Sequence, residues 1–169
     1  MDKPVLIFGA SGLGKVVLEI FNSHDIIVYG FLDDDDSLHG QEIGEVSVLG
    51  STDDDGFLKL IGKKCEAFVA VDENSIRESL VEMLKERRKV MPVNALHKDV
   101  SIAASAELHH GTLVNAGARI GAHAKIGNHS IIHANATIEH GVVLCDLVQV
   151  GAGTVINAGA EIAEGAFVG

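Results

Sequence analysis

The chain has 169 residues, with 24 acidic against 13 basic side chains and a formal net charge of −11. That balance excludes a general binder of nucleic acid or anionic membrane, both of which need clustered Lys and Arg. An apolar content of 47 % with only 22 % charged residues excludes a disordered chain, and the length suits one large domain or two small ones.

Met1-Asp2-Lys3-Pro4 runs straight into an apolar segment, without the basic region and cleavage site of a signal peptide. No apolar stretch approaches the ~18 residues of a membrane span. The expectation is a cytoplasmic protein. Cys65 and Cys145 form no CxxC pair and read as two free thiols of a reducing compartment.

Val5-Leu6-Ile7-Phe8 is a continuous apolar run, read as a buried strand, and it ends at Gly9. Gly-Ala-Ser-Gly-Leu-Gly follows at 9–14, and Lys15 to Phe21 reads as helix. Strand, glycine turn and helix are the context in which glycines let a backbone approach a phosphate, while the helix N-terminus offers free N–H groups. The turn nearly matches a phosphate-binding GxxxxGK loop, but Val16 stands where a Ser or Thr would hold magnesium, which argues against an NTPase. A second strand, Ile26 to Leu32, ends in Asp33-Asp34-Asp35-Asp36. A carboxylate at that spacing from the glycines can accept hydrogen bonds from ribose hydroxyls, so the first half is expected to bind a nucleotide-type ligand.

Ala67 to Val71 reads as a further strand. Ser75 and Glu78 fit a capping box at the start of a helix whose apolar stripe, Ile76, Leu80, Met83 and Leu84, is expected to be core. Lys85 to Lys89 complements the negative end of that helix, and Pro92 marks the exit from the domain. The first domain is thus placed at residues 1–95.

From 102 onward every sixth residue is aliphatic: Ile102, Leu108, Val114, Ile120, Ile126, Ile132, Ile138, Leu144, Val150, Ile156, Ile162 and Val168. Two residues before each lies a small or β-branched residue. Helices repeat every 3.6 residues and ordinary strands every two, so a sustained six requires a solenoid in which each face gives one short strand and one turn. Three faces make a coil of 18 residues, and the narrow interior has no room for rings. That accounts for Phe167 being the sole aromatic residue beyond Val100. Residues 96–169 form this second domain. The repeat is still running at Gly169, so the chain is expected to stop before the coils that would complete it.

These hexads resemble the left-handed parallel β-helix of the hexapeptide-repeat acyltransferases. The VLIFGASGLGKVV opening, FLDDD and VAVDENSIRESL are similar to the Rossmann-like βαβ domain of one subfamily, which includes UDP-4-amino-sugar N-acetyltransferases and sialic-acid O-acetyltransferases. The resemblance implies a homotrimer with active sites between subunits. It implies acetyl-CoA as donor and a UDP-linked amino sugar as acceptor, with sialic-acid-type O-acetylation as the alternative. By position, Ser11, Gly12 and Leu13 would line the sugar-nucleotide pocket, Asp33 and Asp34 would contact the nucleoside, and Arg77 would lie nearby. Ile138-Glu139-His140 matches the motif that carries the family's general base, His140. The backbone N–H of Ala158, one coil later, would steady the oxyanion, and Gln149 would meet the acetyl donor.

Four departures accompany the match. Leu13 replaces a common histidine, Gly141 replaces the acidic residue that often follows the base, and Gln149 replaces a second histidine. The later coils of the CoA site are expected to be missing as well. Glu139, Asp146 or His123 are the available substitutes for orienting His140. A sugar-nucleotide-binding protein with impaired catalysis is therefore a second expectation. A β-helix zinc carbonic anhydrase is a remote third, because no two histidines are five residues apart.

Overall fold

The computed structural model describes residues 2–169. The chain divides into two compact units, the first ending at Val93 and the second running from Asn94 to Gly169.

The first unit holds β1 (Val5–Phe8), α1 (Gly12–Ser23), β2 (Val28–Leu32), β3 (Glu42–Ile43), β4 (Val46–Gly50), α2 (Asp55–Leu58), β5 (Glu66–Val69) and α3 (Asn74–Arg88). The sheet order is β3-β4-β2-β1-β5. Strands β4, β2, β1 and β5 are parallel, and β3 closes the edge as an antiparallel hairpin with β4. All four residues of β1 are buried, as a central parallel strand covered on both faces requires. From β1 the chain builds outward to β2 and β4 on one side and to β5 on the other. The sheet therefore reverses its order at the C-terminal end of β1, the place where such sheets leave a crevice for ligands.

The sequence places these elements well and their ends less well. Helix α1 begins at Gly12, ahead of the expected Lys15, because Gly12 and Leu13 already take helical geometry after the turn. The expected capping box is not formed. Glu73 is the N-cap of α3, and Ser75 donates from Oγ to the Glu73 carboxylate at 3.0 Å instead of pairing with Glu78. At the other end Lys89 adopts a left-handed conformation, with Lys85, Arg87 and Arg88 in the last turn.

The second unit is a parallel β-helix of two-residue strands, from Ala95–Leu96 to Phe167–Val168. They form three sheets, two of four strands and one of five. Ile102, Ile120, Ile138 and Ile156 stack in register on one face, and Leu108, Ile126, Leu144 and Ile162 stack on the next. Each coil therefore takes 18 residues. The third face begins at Leu96, one hexad before the sequence repeat becomes visible. The Asn94 amide oxygen meets that start by accepting from the Thr112 N–H at 2.9 Å.

The hexad aliphatics and the small residues two positions before them fill the interior. Two buried hydroxyls among them, Thr112 and Ser130, both donate to the carbonyl of Gly127 at 3.1 Å. That carbonyl has two lone pairs, so the polar intrusion is satisfied. Every turn from 111 to 165 repeats a positive φ at one hexad position. Glycine fills it at 111, 117, 141, 153, 159 and 165, whereas His123, His129, Asn135 and Leu147 fill it in between.

Candidate functional site

In the first unit the three glycines of the turn have different tasks. Gly9 has φ +108, and a Cβ there would lie 2.5 Å from the Ala70 carbonyl oxygen. A Cβ on Gly14 would lie 2.2 Å from the Gly9 carbonyl oxygen, so this glycine lets α1 sit against β1. Gly12 has nothing within 4 Å. Only Gly12 therefore keeps its side open to an approaching group. Ser11 is the N-cap of α1 but makes no side-chain capping bond, and the first turn of α1 carries no acidic residue. That helix end suits an anion. Leu13 is buried in the core beneath it.

A pocket of ≈ 360 Å³ opens beside this turn. Its polar side is Ser11, Asp33, Asp34, Asp35 and Thr52, and its apolar side is Leu38, Val71, Ile76 and Leu80. The Asp33 carboxylate accepts from the Ala10 N–H at 2.8 Å and from the Asp35 N–H at 2.9 Å. Asp34 accepts from the N–H of Thr52 at 2.8 Å and from its hydroxyl at 2.9 Å. Asp35 caps a short turn through Ser37, and those bonds hold its carboxyl below the usual carboxylate range. Three carboxylates repel a diphosphate, so the chemistry of the pocket is divided. The acidic rim can accept from hydroxyl and N–H donors, the apolar wall has the chemistry to pack a flat ring, and the start of α1 has the N–H groups to meet an anion.

Part of the α3 stripe expected to be core belongs to this wall. Leu84 is fully buried, but Ile76 is 45 % exposed. Sequence reading also missed Thr52, Leu38 and Val71. The end of a short apolar run at Val46–Gly50, followed by Ser51-Thr52, was the available signal for the first of these.

Arg77 is fully buried. It donates to the carbonyls of Val71 and Asp72 at 2.9 and 3.1 Å and to the Asn74 side chain at 2.7 Å. Burial lowers its pKa to about 10, partly opposed by Asp72. It remains a cation at neutral pH and ties down the segment between β5 and α3. It is not among the residues that line the pocket.

In the second unit His140 lies on an exposed turn directly after Thr137–Ile138. Strand register puts Ala104, Ala122 and Ala158 in the same column, so His140 is the one large side chain there. The turn is bonded to both neighbouring coils. Gly141 N–H donates to the Ala122 carbonyl at 2.9 Å, and Gly159 N–H donates to the His140 carbonyl at 3.0 Å. A Cβ on Gly121 would meet the His140 nitrogen at 2.7 Å, so this glycine lets the coils close beneath the turn. Glu139 and Ala158 are exposed, and Gln149 is half-buried on the next but one strand. Above His123 the column continues with Gly141 and Gly159, which places no carboxylate beside the imidazole on that side.

No group of three or more His, Cys, Asp or Glu side chains capable of holding a metal comes together among the described residues. His97 and His133 share a column two coils apart, about 9.6 Å at the usual strand spacing. A zinc site takes at least three protein ligands, and no third joins these two among the described residues. No helix among the described residues is long and apolar enough to cross a membrane.

Each unit matches a known family model. Residues 4–84 match the PglD N-terminal domain, and residues 123–158 match the bacterial transferase hexapeptide (six repeats). The first unit thus carries the PglD N-terminal domain and the second carries bacterial transferase hexapeptide repeats. Among solved structures, the chain is similar to a histidine-to-alanine mutant of GDP-perosamine N-acetyl transferase from Caulobacter crescentus, in complex with CoA and GDP-perosamine. The identity is 23 % and the TM-score 0.71, covering 99 % of this chain and 92 % of that one. It is also similar to the acetyltransferase domain of PglB from Neisseria gonorrhoeae, in complex with acetyl coenzyme A, at 22 % identity and TM-score 0.78, covering 99 % and 85 %. WeeI from Acinetobacter baumannii matches at 20 % identity and TM-score 0.74, covering 98 % and 88 %. No curated protein sequence matches the chain.

Proposed function

We propose that this chain transfers the acetyl group of acetyl-CoA to the amino group of a sugar carried on a nucleoside diphosphate, UDP in the first instance, and that it works as a homotrimer. The observation that carries the reading is the pairing, in one chain, of a glycine-turn pocket with an acidic rim and a β-helix turn that presents a single histidine among alanines. The structural relatives crystallised with CoA, acetyl coenzyme A and GDP-perosamine support the same chemistry.

The diphosphate sits at the start of α1, where Ser11 and Gly12 leave the backbone accessible. Asp33 and Asp34 face the nucleoside, and Leu38, Val71, Ile76 and Leu80 form the wall for its base. Leu13 shapes the turn from beneath. Arg77 acts by holding the neighbouring segment, not by touching the ligand.

At the second unit the neutral imidazole of His140 takes a proton from the sugar amine as the nitrogen attacks the thioester carbonyl. The N–H of Ala158, one coil on, donates to the oxyanion. The C–S bond then breaks, and CoA leaves as a thiolate that accepts the proton held by His140. Glu139, the preceding residue, is the carboxylate assigned to orienting His140. Gln149 supplies a hydrogen bond to the acetyl donor without a titrating group.

The test is thiol release from acetyl-CoA with a panel of nucleotide-linked amino sugars and sialic acid as acceptors. His140→Ala is expected to lower turnover by at least about a hundredfold while nucleoside diphosphate binding persists. Wild-type turnover in that variant removes the base assignment. Turnover on sialic acid alone replaces N- by O-acetylation.

A further inference from the structure

We infer that His39 is a positioning residue for the nucleoside end of the pocket, fixing the acidic loop through the backbone carbonyl of Asp33. The inference rests on reading that pocket as the sugar-nucleotide site.

Asp33 stands where β2 ends and its peptide groups leave the sheet. Its N–H is still bonded across, to the Gly50 carbonyl at 2.9 Å. Its two carboxylate oxygens are taken up by the N–H groups of Ala10 and Asp35. The remaining polar group is its carbonyl oxygen, and Nε2 of His39 lies 2.6 Å from it. A carbonyl can only accept, so Nε2 carries the proton in this contact. The other ring nitrogen, Nδ1, faces the Asp36 carboxylate at 3.7 Å. The ring thus spans the short turn Asp36–Leu38, for which His39 is itself the C-cap, and pins its far end back to the strand.

The arrangement links two parts of the pocket. Rotation of the Asp33 peptide would move the carboxylate that holds Ala10 in the glycine turn and would shift Asp34 away from Thr52. Four acidic side chains in succession repel one another and favour splaying into solvent. The bond from His39 opposes that at the one backbone group still available. His39 does not line the pocket, so its effect is transmitted through Asp33.

Calorimetric titration of UDP and of GDP into the full chain tests this, using wild type, His39→Ala and His39→Gln. Gln can place an N–H near the position of Nε2. His39→Ala is expected to weaken nucleoside diphosphate binding about five- to tenfold, the loss of one hydrogen bond, with a small fall in the thermal midpoint. His39→Gln is expected to recover most of that affinity. Amide exchange at Ala10 and Asp35 without ligand is expected to quicken in the Ala variant only. Wild-type affinity in His39→Ala, or a Gln variant no better than Ala, overturns the role of His39 alone. Wild type that binds neither nucleotide overturns the pocket reading, and the role of His39 with it.

Discussion

The N–H of Ala10 donates to Oδ2 of Asp33 at 2.8 Å, and this bond joins the glycine turn after β1 to the end of β2. Because Oδ1 accepts from Asp35 as well, the side chain must present two acceptors at once. Asn has one carbonyl oxygen and would point its NH2 at one of those donors. Asp33→Asn is therefore expected to cost about 1–2 kcal/mol, since it forfeits a charge-assisted bond at a half-buried site. Nucleoside diphosphate affinity should fall with it. Urea unfolding and calorimetry read the two losses separately, and an unchanged midpoint would show that the bond holds nothing together.

The glycines of the same turn separate folding from binding. Gly14→Ala puts a Cβ 2.2 Å from a backbone oxygen that cannot swing away, so α1 must lift from β1. A cost of about 2 kcal/mol or more is expected. Gly12→Ala meets nothing and should leave the fold as stable as before, or more so by a few tenths of a kcal/mol through better helix propensity. Its effect should be confined to the ligand, as weaker nucleoside diphosphate binding at an unchanged thermal midpoint. Full binding by Gly12→Ala would mean that the diphosphate does not approach over this residue.

The solenoid was legible because its interior admits one side chain per face, which forces the aliphatic residue back every sixth position from Ile102 to Val168. The β1–turn–α1 unit was legible because a strand buried on both faces is apolar throughout and its turn needs glycine at Gly9 and Gly14. The internal wiring of the site was not. Nothing in a run of four aspartates says that the first two spend their oxygens on backbone N–H groups and on Thr52. The resemblance puts Arg77 near the pocket, and only the fold turns it inward beneath the segment from Val71 to Asn74. The left-handed turn position escaped notice because four of its occupants are not glycine.

Arg77 illustrates how a buried charge becomes structural. Its guanidinium satisfies two backbone carbonyls and the Asn74 side chain at once. Arg77→Met would keep much of the volume but leave those oxygens buried without donors. The expected loss is about 3 kcal/mol, and Arg77→Lys should recover only part of it because an ammonium lacks the planar fork. The lowered pKa fixes the sign of its contribution with pH. Between about 10 and the ordinary arginine value the unfolded chain holds the proton and the folded chain releases it, so this group makes stability rise with pH across that window. Thermal melts of the three proteins at neutral pH check the ranking. Equal stability of wild type and Arg77→Met would remove the structural role.

The left-handed turns yield two predictions of opposite sign from the same substitution. His123 has φ +58 and Leu147 has φ +61, a conformation that costs a side chain roughly 1 kcal/mol and glycine almost nothing. His123 is exposed, and its backbone N–H bond to the Ser105 hydroxyl at 3.0 Å does not depend on the ring. His123→Gly should relieve the strain and stabilise the chain by up to about 1 kcal/mol, less whatever the added freedom of the unfolded state takes back. Leu147 carries the same strain, but its side chain is only 6 % exposed. Removing that much buried hydrocarbon costs about 2–3 kcal/mol, which outweighs the relief. Leu147→Gly should therefore destabilise by about 1–2 kcal/mol. Chemical denaturation of both variants decides the matter, because equal shifts in one direction would mean that burial does not control the fate of these turns.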